Sequence, residues 1–150
     1  MTDSDFNFAG SELATVRALD APPAAVFAAF ADPARLARWW GPAGFTNRFH
    51  SFEFRDGGEW AFDMIGPDGR TYPNRSVFES IVTDRRIVIR HVVAPLFTLF
   101  VSLEPLGART VIGWRQRFAS AAECAALAGV CVPSNEQNLD RLAQEVARAA

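Results

Sequence analysis

Asp32-Pro33-Ala34-Arg35-Leu36-Ala37-Arg38-Trp39-Trp40-Gly41-Pro42-Ala43-Gly44-Phe45 is the stretch that decides the fold. Asp32 precedes a proline and can accept from free N–H groups, so it is placed to cap a short helix. That helix carries Leu36 and two adjacent tryptophans. An aromatic ring buries roughly 150–250 Å², but neighbours on a helix point about 100° apart. One face cannot hide both rings. Gly41-Pro42-Ala43-Gly44 then ends the helix and turns the chain. The reading is a short helix that sends one indole to the core and the other to a neighbouring surface or a pocket wall.

Upstream, Leu13, Thr15, Arg17 and Leu19 alternate with Ala14, Val16 and Ala18, a strand over Glu12 to Leu19. Ala21-Pro22-Pro23 opens a helix with Val26, Phe27 and Phe30 on one face, stopped by Asp32-Pro33. Two short helices therefore follow the first strand. Downstream, strand patterns fill the chain to Phe118. Phe45 to Arg55 shifts register near Ser51, which predicts a bulge, and Asp56-Gly57-Gly58 reads as a tight hairpin turn. Trp60, Phe62 and Met64 then alternate with Glu59, Ala61 and Asp63, and Pro67-Asp68-Gly69-Arg70 turns the chain. Tyr72 to Val82, Arg86 to Val93, Phe97 to Leu103 and Thr110 to Phe118 complete the strands. Ser120 can cap a helix over Ala121 to Ala128, which Gly129 to Pro133 interrupts. Ser134-x-x-Gln137 resembles a capping box for a last helix of about 14–16 residues, with Leu139, Leu142, Ala143 and Val146 on its apolar face. The order is β-αα, five or six strands, then α. An antiparallel sheet with one amphipathic helix must bury one face against it, and a strongly twisted sheet leaves a gap there.

Composition narrows function. One domain is expected from 150 residues, at 11–150, preceded by a flexible arm over 1–10. Thirteen Phe and four Trp suggest a core or cavity lined with rings. The net charge of −2 is spread without a basic stripe, so no nucleic acid is expected. All fifteen basic residues are Arg, which excludes a Schiff-base or P-loop lysine. Met1 to Gly10 lacks the basic and apolar regions of a signal peptide, and no apolar run nears the roughly 20 residues of a membrane span. Cys124 and Cys131 form no C-x-x-C, and His50 and His91 lie far from them, so no metal is expected. The thiols read as reduced core filler in a cytoplasmic protein.

The chain also resembles a known family. A helix ending in Asp-Pro-x-x-Leu-x-x-Trp-Trp-Gly-Pro (Asp32 to Pro42) is similar to the signature of the AHSA1-like group, the homologues of the activator of Hsp90 ATPase. That group lies within the START/Bet v 1-like, or SRPBCC, superfamily. Phe52 to Trp60 resembles its hairpin with paired glycines. Asp84-Arg85-Arg86-Ile87-Val88 resembles its Pro-x-Glu-Arg-Leu-Val turn without the Pro and Glu. Arg117 to Ser120 and Asn135-x-x-Asn138-Leu139-x-x-Leu142 resemble its closing strand and last helix. The resemblance runs from about Leu13 to Ala147. It implies an α+β helix-grip fold, a curved antiparallel sheet wrapped around a long C-terminal helix. It fixes no single function, since the superfamily hosts carriers, cyclases, dehalogenase-like enzymes and cochaperone domains.

No catalytic motif stands out: there is no H-E-x-x-H, G-x-S-x-G or G-x-G-x-x-G. His91, ending an apolar strand, can donate to a ligand or act as a general base if it faces a cavity; as a packed or edge residue it does neither. Glu79 is the other acid–base candidate. It shares strand parity with Arg75, and the pair reads either as inward polar groups or, preferred, as an exposed charge ladder. His50, Asp63, Arg115 and Arg117 read as outward, and Tyr72 as surface packing or a pocket mouth. The residues expected to bind ligand are Trp39, Trp40, Trp60, Phe62, Met64, Tyr72, Phe78, His91, Leu99, Val101, Trp114 and Leu142. The first expectation is a binder of a small hydrophobic or aromatic molecule, without a cofactor, between the sheet and the Ser134–Ala149 helix. A cyclase- or hydrolase-type enzyme is the second. The third, implied by the family name, is a stress-related cochaperone-like module. Activation of Hsp90 in the eukaryotic proteins involves a second, N-terminal domain for which 150 residues leave no room, so an Hsp90-type chaperone is not the expected partner. Homodimerisation through an edge strand or aromatic patch stays open. The Ala-rich, all-Arg composition looks bacterial.

Overall fold

The computed structural model describes residues 10–149. The arm expected over 1–10 lies almost wholly outside the described residues. Seven strands follow in chain order: β1 (Glu12–Leu19), β2 (Thr46–Phe52), β3 (Glu59–Ile65), β4 (Thr71–Val82), β5 (Arg86–His91), β6 (Phe97–Leu106) and β7 (Arg109–Phe118). Between β1 and β2 lie α1 (Pro23–Ala31) and α2 (Pro33–Trp39), and α3 (Ala121–Ala149) closes the chain. The strands form one antiparallel sheet in the order β1-β7-β6-β5-β4-β3-β2. The helices pack against one face of it, which is the helix-grip arrangement.

Local chemistry explains each junction. The Asp32 carboxylate accepts from the N–H groups of Ala34 (3.0 Å) and Arg35 (3.4 Å), capping α2. The β2–β3 register shifts between Phe49 and Ser51, so the expected bulge is present. Gly58 is required in the β2–β3 connection because a Cβ there would lie 1.9 Å from the Glu53 carbonyl oxygen. The inward face is largely apolar: Trp60 and Phe78, Ile87, Val101, Leu103 and Ile112 are all buried, and they meet Leu139 and Leu142 of α3 and Leu36 and Trp39 of α2.

One expectation is overturned. Gly129 to Pro133 does not interrupt the last helix; α3 runs unbroken for 29 residues with Pro133 inside it. Pro133 removes one intrahelical hydrogen bond, from its own missing N–H to residue 129. Gly129 and Pro133 are both exposed, so water can serve the freed carbonyl. Packing at Cys124 before this turn and at Leu139 after it holds the axis. Ser120 does cap the helix, its Oγ accepting from the Glu123 N–H at 3.2 Å. Ser134 therefore caps nothing, and Gln137 accepts from the Ala43 backbone N–H instead (3.1 Å).

Candidate functional site

The two tryptophans diverge as expected, but Trp40 does so as the C-cap of α2, in extended backbone (φ −68°, ψ 135°) just past the helix. Trp39 is 1% exposed and donates its indole N–H to the Ala29 carbonyl at 2.9 Å, joining α2 to α1. Trp40 turns toward the sheet, its ring 5.0 Å from that of Trp60 and 5.9 Å from that of Trp114. It forms one wall of a cavity of about 250 Å³ between sheet and α3.

Five strands, α3 and the turn after α2 build that cavity. Trp40, Gly41 and Pro42 supply the wall after α2. Phe62 and Met64 of β3, with Ile89 of β5, Phe97 and Leu99 of β6 and Trp114 of β7, form an apolar floor. Asn74 and Ser76 of β4 and His91 of β5 add polar groups from the sheet. Gln116 of β7 meets Cys131, Ser134, Asn135 and Asn138 of α3 on the far side. These four α3 residues recur at i, i+3, i+4 and i+7, a single helical face. No Asp, Glu, Lys or Arg lines the cavity.

Much of this polar set is internally bonded. Asn135 Nδ2 donates to Gln116 Oε1 (3.1 Å), and Asn138 Nδ2 donates to the Trp39 carbonyl (3.0 Å). His91 is 7% exposed, stacked on Phe97 at 4.7 Å. Its Nδ1 lies 2.7 Å from the Pro95 carbonyl and its Nε2 2.8 Å from Asn74 Oδ1. A carbonyl only accepts, so Nδ1 carries a proton. A neutral ring then leaves Nε2 an acceptor that needs the Asn74 NH2, whereas a protonated ring matches the Asn74 oxygen. Burial pushes the His91 pKa below its ordinary value and outweighs the carbonyls of Pro95 and Val93, which raise it. Burial also pushes the Cys131 thiol up, opposed by a hydrogen bond with Gln116. The Trp114 indole N–H is buried without an acceptor among the described residues.

The wall segment is pinned from outside the cavity by Arg141. Its Nη1 donates to the carbonyls of Trp40 (3.0 Å), Gly41 (3.0 Å) and Pro42 (2.9 Å). Its Nη2 donates to those of Arg38 (2.7 Å) and Phe45 (2.9 Å). Asn47 Nδ2 reinforces the same turn through the carbonyls of Ala37 (3.0 Å) and Trp40 (2.9 Å). One turn further along α3, Glu145 is 2% exposed and accepts from Arg35, Arg38 and Arg148.

Of the twelve residues expected at the ligand, Trp40, Phe62, Met64, His91, Leu99 and Trp114 line this cavity. The other six lie elsewhere. Trp39, Trp60, Phe78, Val101 and Leu142 are core, each sealed by its neighbours. Tyr72 is 39% exposed and packs its ring 6.0 Å from that of Phe45. Glu79 and Arg75 are exposed on the opposite face of β4, so Glu79 cannot serve the cavity. His50 and Arg48 cover Asp63 on the outer face, and their hydrogen bonds, His50's foremost, lower its pKa. Arg115 and Arg117 are outward, stacked over Phe100 at 4.9 and 4.4 Å. Sequence reasoning missed Asn74, Ser76, Gln116, Cys131, Ser134, Asn135 and Asn138 as cavity residues. The signal for the last four was their helical spacing on a face that should be apolar.

The described residues contain no group of three potential metal ligands and no helix long and apolar enough to cross a membrane. A family described as "Activator of Hsp90 ATPase homolog 1-like protein" matches residues 20–147. Among solved structures, a protein from Arthrobacter aurescens superposes with a TM-score of 0.86 at 24% identity, covering 94% of this chain and 88% of that one. A protein from Nitrosomonas europaea gives 0.87 at 18% identity, over 95% and 97% of the two chains. An AHSA1-like protein from Aeromonas hydrophila gives 0.73 at 16% identity, over 92% and 93%. At these identities the likeness shows the fold. No curated protein matches the sequence. The family match spans most of the chain, and the chain belongs to this AHSA1-like family.

Proposed function

We propose that this AHSA1-like chain binds a small, largely apolar molecule in the cavity between the sheet and α3. The observation that carries the reading is the void itself, about 250 Å³ lined by Trp40, Phe62, Met64, Ile89, Phe97, Leu99 and Trp114. Protein interiors normally close such spaces, because each unfilled volume forfeits packing. The size falls just under the roughly 300–1,000 Å³ of ordinary small-molecule sites. An apolar cavity of about 150 Å³ already holds benzene, so one or two rings fit here. Acid–base chemistry finds little support: both His91 nitrogens are engaged by Pro95 and Asn74, and Glu79 faces away.

Titration of the protein with naphthalene, followed by ¹⁵N–¹H NMR, tests this. Saturable shifts are expected at the Trp40 and Trp114 indole N–H groups and at the amides of Ile89 and Leu99. The cavity-filling variant Leu99→Trp should weaken binding about tenfold or more, or about 1.4 kcal/mol. Shifts that never saturate, or that Leu99→Trp leaves intact, would sink the proposal.

A further inference from the structure

We infer that the ligand is uncharged and carries one hydroxyl or carbonyl oxygen, with Ser76 as the residue that selects for it. This inference rests on the binding proposal and sharpens its chemistry. Three observations converge on it. First, no carboxylate, guanidinium or ammonium group lines the cavity, and both nitrogens of its one imidazole, His91, are engaged by Pro95 and Asn74, so no free charged group compensates a buried ligand charge. Burying an unpaired charge is far more costly than burying a neutral polar group. Second, the lining is not wholly apolar. Beside the His91 imidazole, the Cys131 thiol and the Trp114 indole N–H, its polar groups are hydroxyls and primary amides, which act as donors and acceptors without charge.

Third, the cavity's own bonds leave specific atoms unused. Ser76 is 3% exposed, on the inward face of β4, directly opposite His91 in the β4–β5 register and Trp60 in the β3–β4 register. Its hydroxyl makes no hydrogen bond among the described residues, although Asn74 and His91 beside it are saturated by each other, Tyr72 and Pro95. Asn138 is 6% exposed; its Nδ2 is held by the Trp39 carbonyl, and its Oδ1 takes no donor among the described residues. Among the described residues the fully buried lining atom without a partner is the Trp114 Nε1; the Ser76 Oγ and Asn138 Oδ1 are not fully buried and stay open to whatever the cavity holds. A hydroxyl facing an apolar ring cluster, with its neighbours already paired, suits a ligand oxygen. A ligand lacking that oxygen leaves the Ser76 hydroxyl desolvated and unpaired, which is the source of discrimination.

The test is a matched series of probes of one ring size: naphthalene, 2-naphthol and 2-naphthoate, titrated by ¹⁵N–¹H NMR at pH 7. Native protein should bind 2-naphthol about tenfold tighter than naphthalene, the effect of one neutral hydrogen bond plus the relieved hydroxyl. It should bind 2-naphthoate most weakly. Ser76→Ala should reduce the naphthol preference to about threefold or less, with naphthol binding weakened and naphthalene binding unweakened or tightened. Equal affinities for naphthalene and naphthol in native protein overturn the inference but leave the binding proposal standing. Tightest binding of naphthoate overturns it as well, and so does an equal loss for all three probes in folded Ser76→Ala. Failure of all three probes to bind removes the binding proposal and this inference with it. Should Ser76→Ala not fold, the affinity order in native protein decides alone.

Discussion

Replacing Glu145 by Gln should cost the fold about 2 kcal/mol at neutral pH and almost nothing in strong acid. Glu145 sits on α3 and gathers Arg35 Nε (3.0 Å), Arg38 Nε (3.1 Å) and Nη2 (2.9 Å), and Arg148. Burial alone would raise its pKa. The hydrogen bonds from Arg38, Arg35 and Arg148 outweigh burial and hold it at about 2, against an ordinary 4.5. A depression of that size corresponds to about 3.4 kcal/mol if taken at face value. Arg38 and Arg148 are 49% and 63% exposed, so water and salt screen their share, leaving about 2 kcal/mol. Gln keeps the shape but neither the charge nor the capacity to accept from three guanidiniums.

The sign follows from linkage. A carboxylate whose folded pKa lies below its unfolded value contributes stability above about pH 4.5. That contribution fades as pH falls through the window from 4.5 to about 2. Urea denaturation of native protein and Glu145→Gln at pH 7, 5 and 3 reads it directly. The gap should be full at pH 7, with a melting-temperature loss of about 4–8 °C. It should have lost about 60% of its size at pH 3. A gap below about 0.5 kcal/mol at pH 7, the level of an ordinary surface pair, would refute the reasoning. So would a gap that is undiminished at pH 3.

Gly41→Ala should destabilise the protein by about 1–2 kcal/mol, because Gly41 has φ +97° and an added Cβ would lie 2.7 Å from Met64 Cε. Met64 lines the cavity, so naphthalene affinity should fall too, and calorimetric melting with the same NMR titration measures both. His91 is expected to make stability decline as pH falls below about 6.5, since its folded pKa lies under that value and the unfolded chain binds the proton more readily. Urea midpoints at pH 7.5 and 5.5 should differ less in His91→Gln than in native protein; an equal drop in both assigns the slope elsewhere.

The fold was legible because its alternations are strong. Trp60, Phe62 and Met64 against Glu59, Ala61 and Asp63 could lie only one way on a half-buried sheet, and the Phe49–Ser51 slip announced its bulge. The division of labour between Trp39 and Trp40 was legible, though the extended backbone at Trp40, just past the end of α2, produces it and not the helical angle. The continuity of α3 was not, because a proline inside a helix is decided by what packs on either side, and the burial of Cys124 and Leu139 that holds the axis appears only in the folded chain. The site was half legible. Rings at inward positions were correctly assigned to the inward face, but period-two parity cannot tell a ring that borders a void from one that is sealed. Trp60 and Phe62 differ in this respect while sharing a strand face and near-equal burial. Ser76 and Gln116 have the same parity as Phe78 and Trp114, so a polar residue in an apolar row was the available sign for both.

Cavity and anchoring share α3 but draw mostly on different residues, and this division lets the void persist. On α3 the face formed by Cys131, Ser134, Asn135 and Asn138 gives up the apolar burial that leucines would supply, roughly 1.5–3 kcal/mol for each large side chain. The attachment comes from flanking turns instead. Leu139, Leu142 and Val146 enter the core. Arg17 of β1 reaches Glu136 (2.9 Å) and Asp140 (2.5 Å) along one side. Arg141 and Glu145 tie the other side to α2 and to the carbonyls around Trp40. Arg141 thus holds the helix in place and shapes the cavity wall through one guanidinium. A change on the apolar floor, at Ile89 or Leu99, need not disturb these anchors, whereas a change at the anchors must disturb the cavity. Stability and pocket shape are therefore coupled through the α2–α3 clamp, where Arg141 and Asn138 hold the carbonyls of the cavity wall.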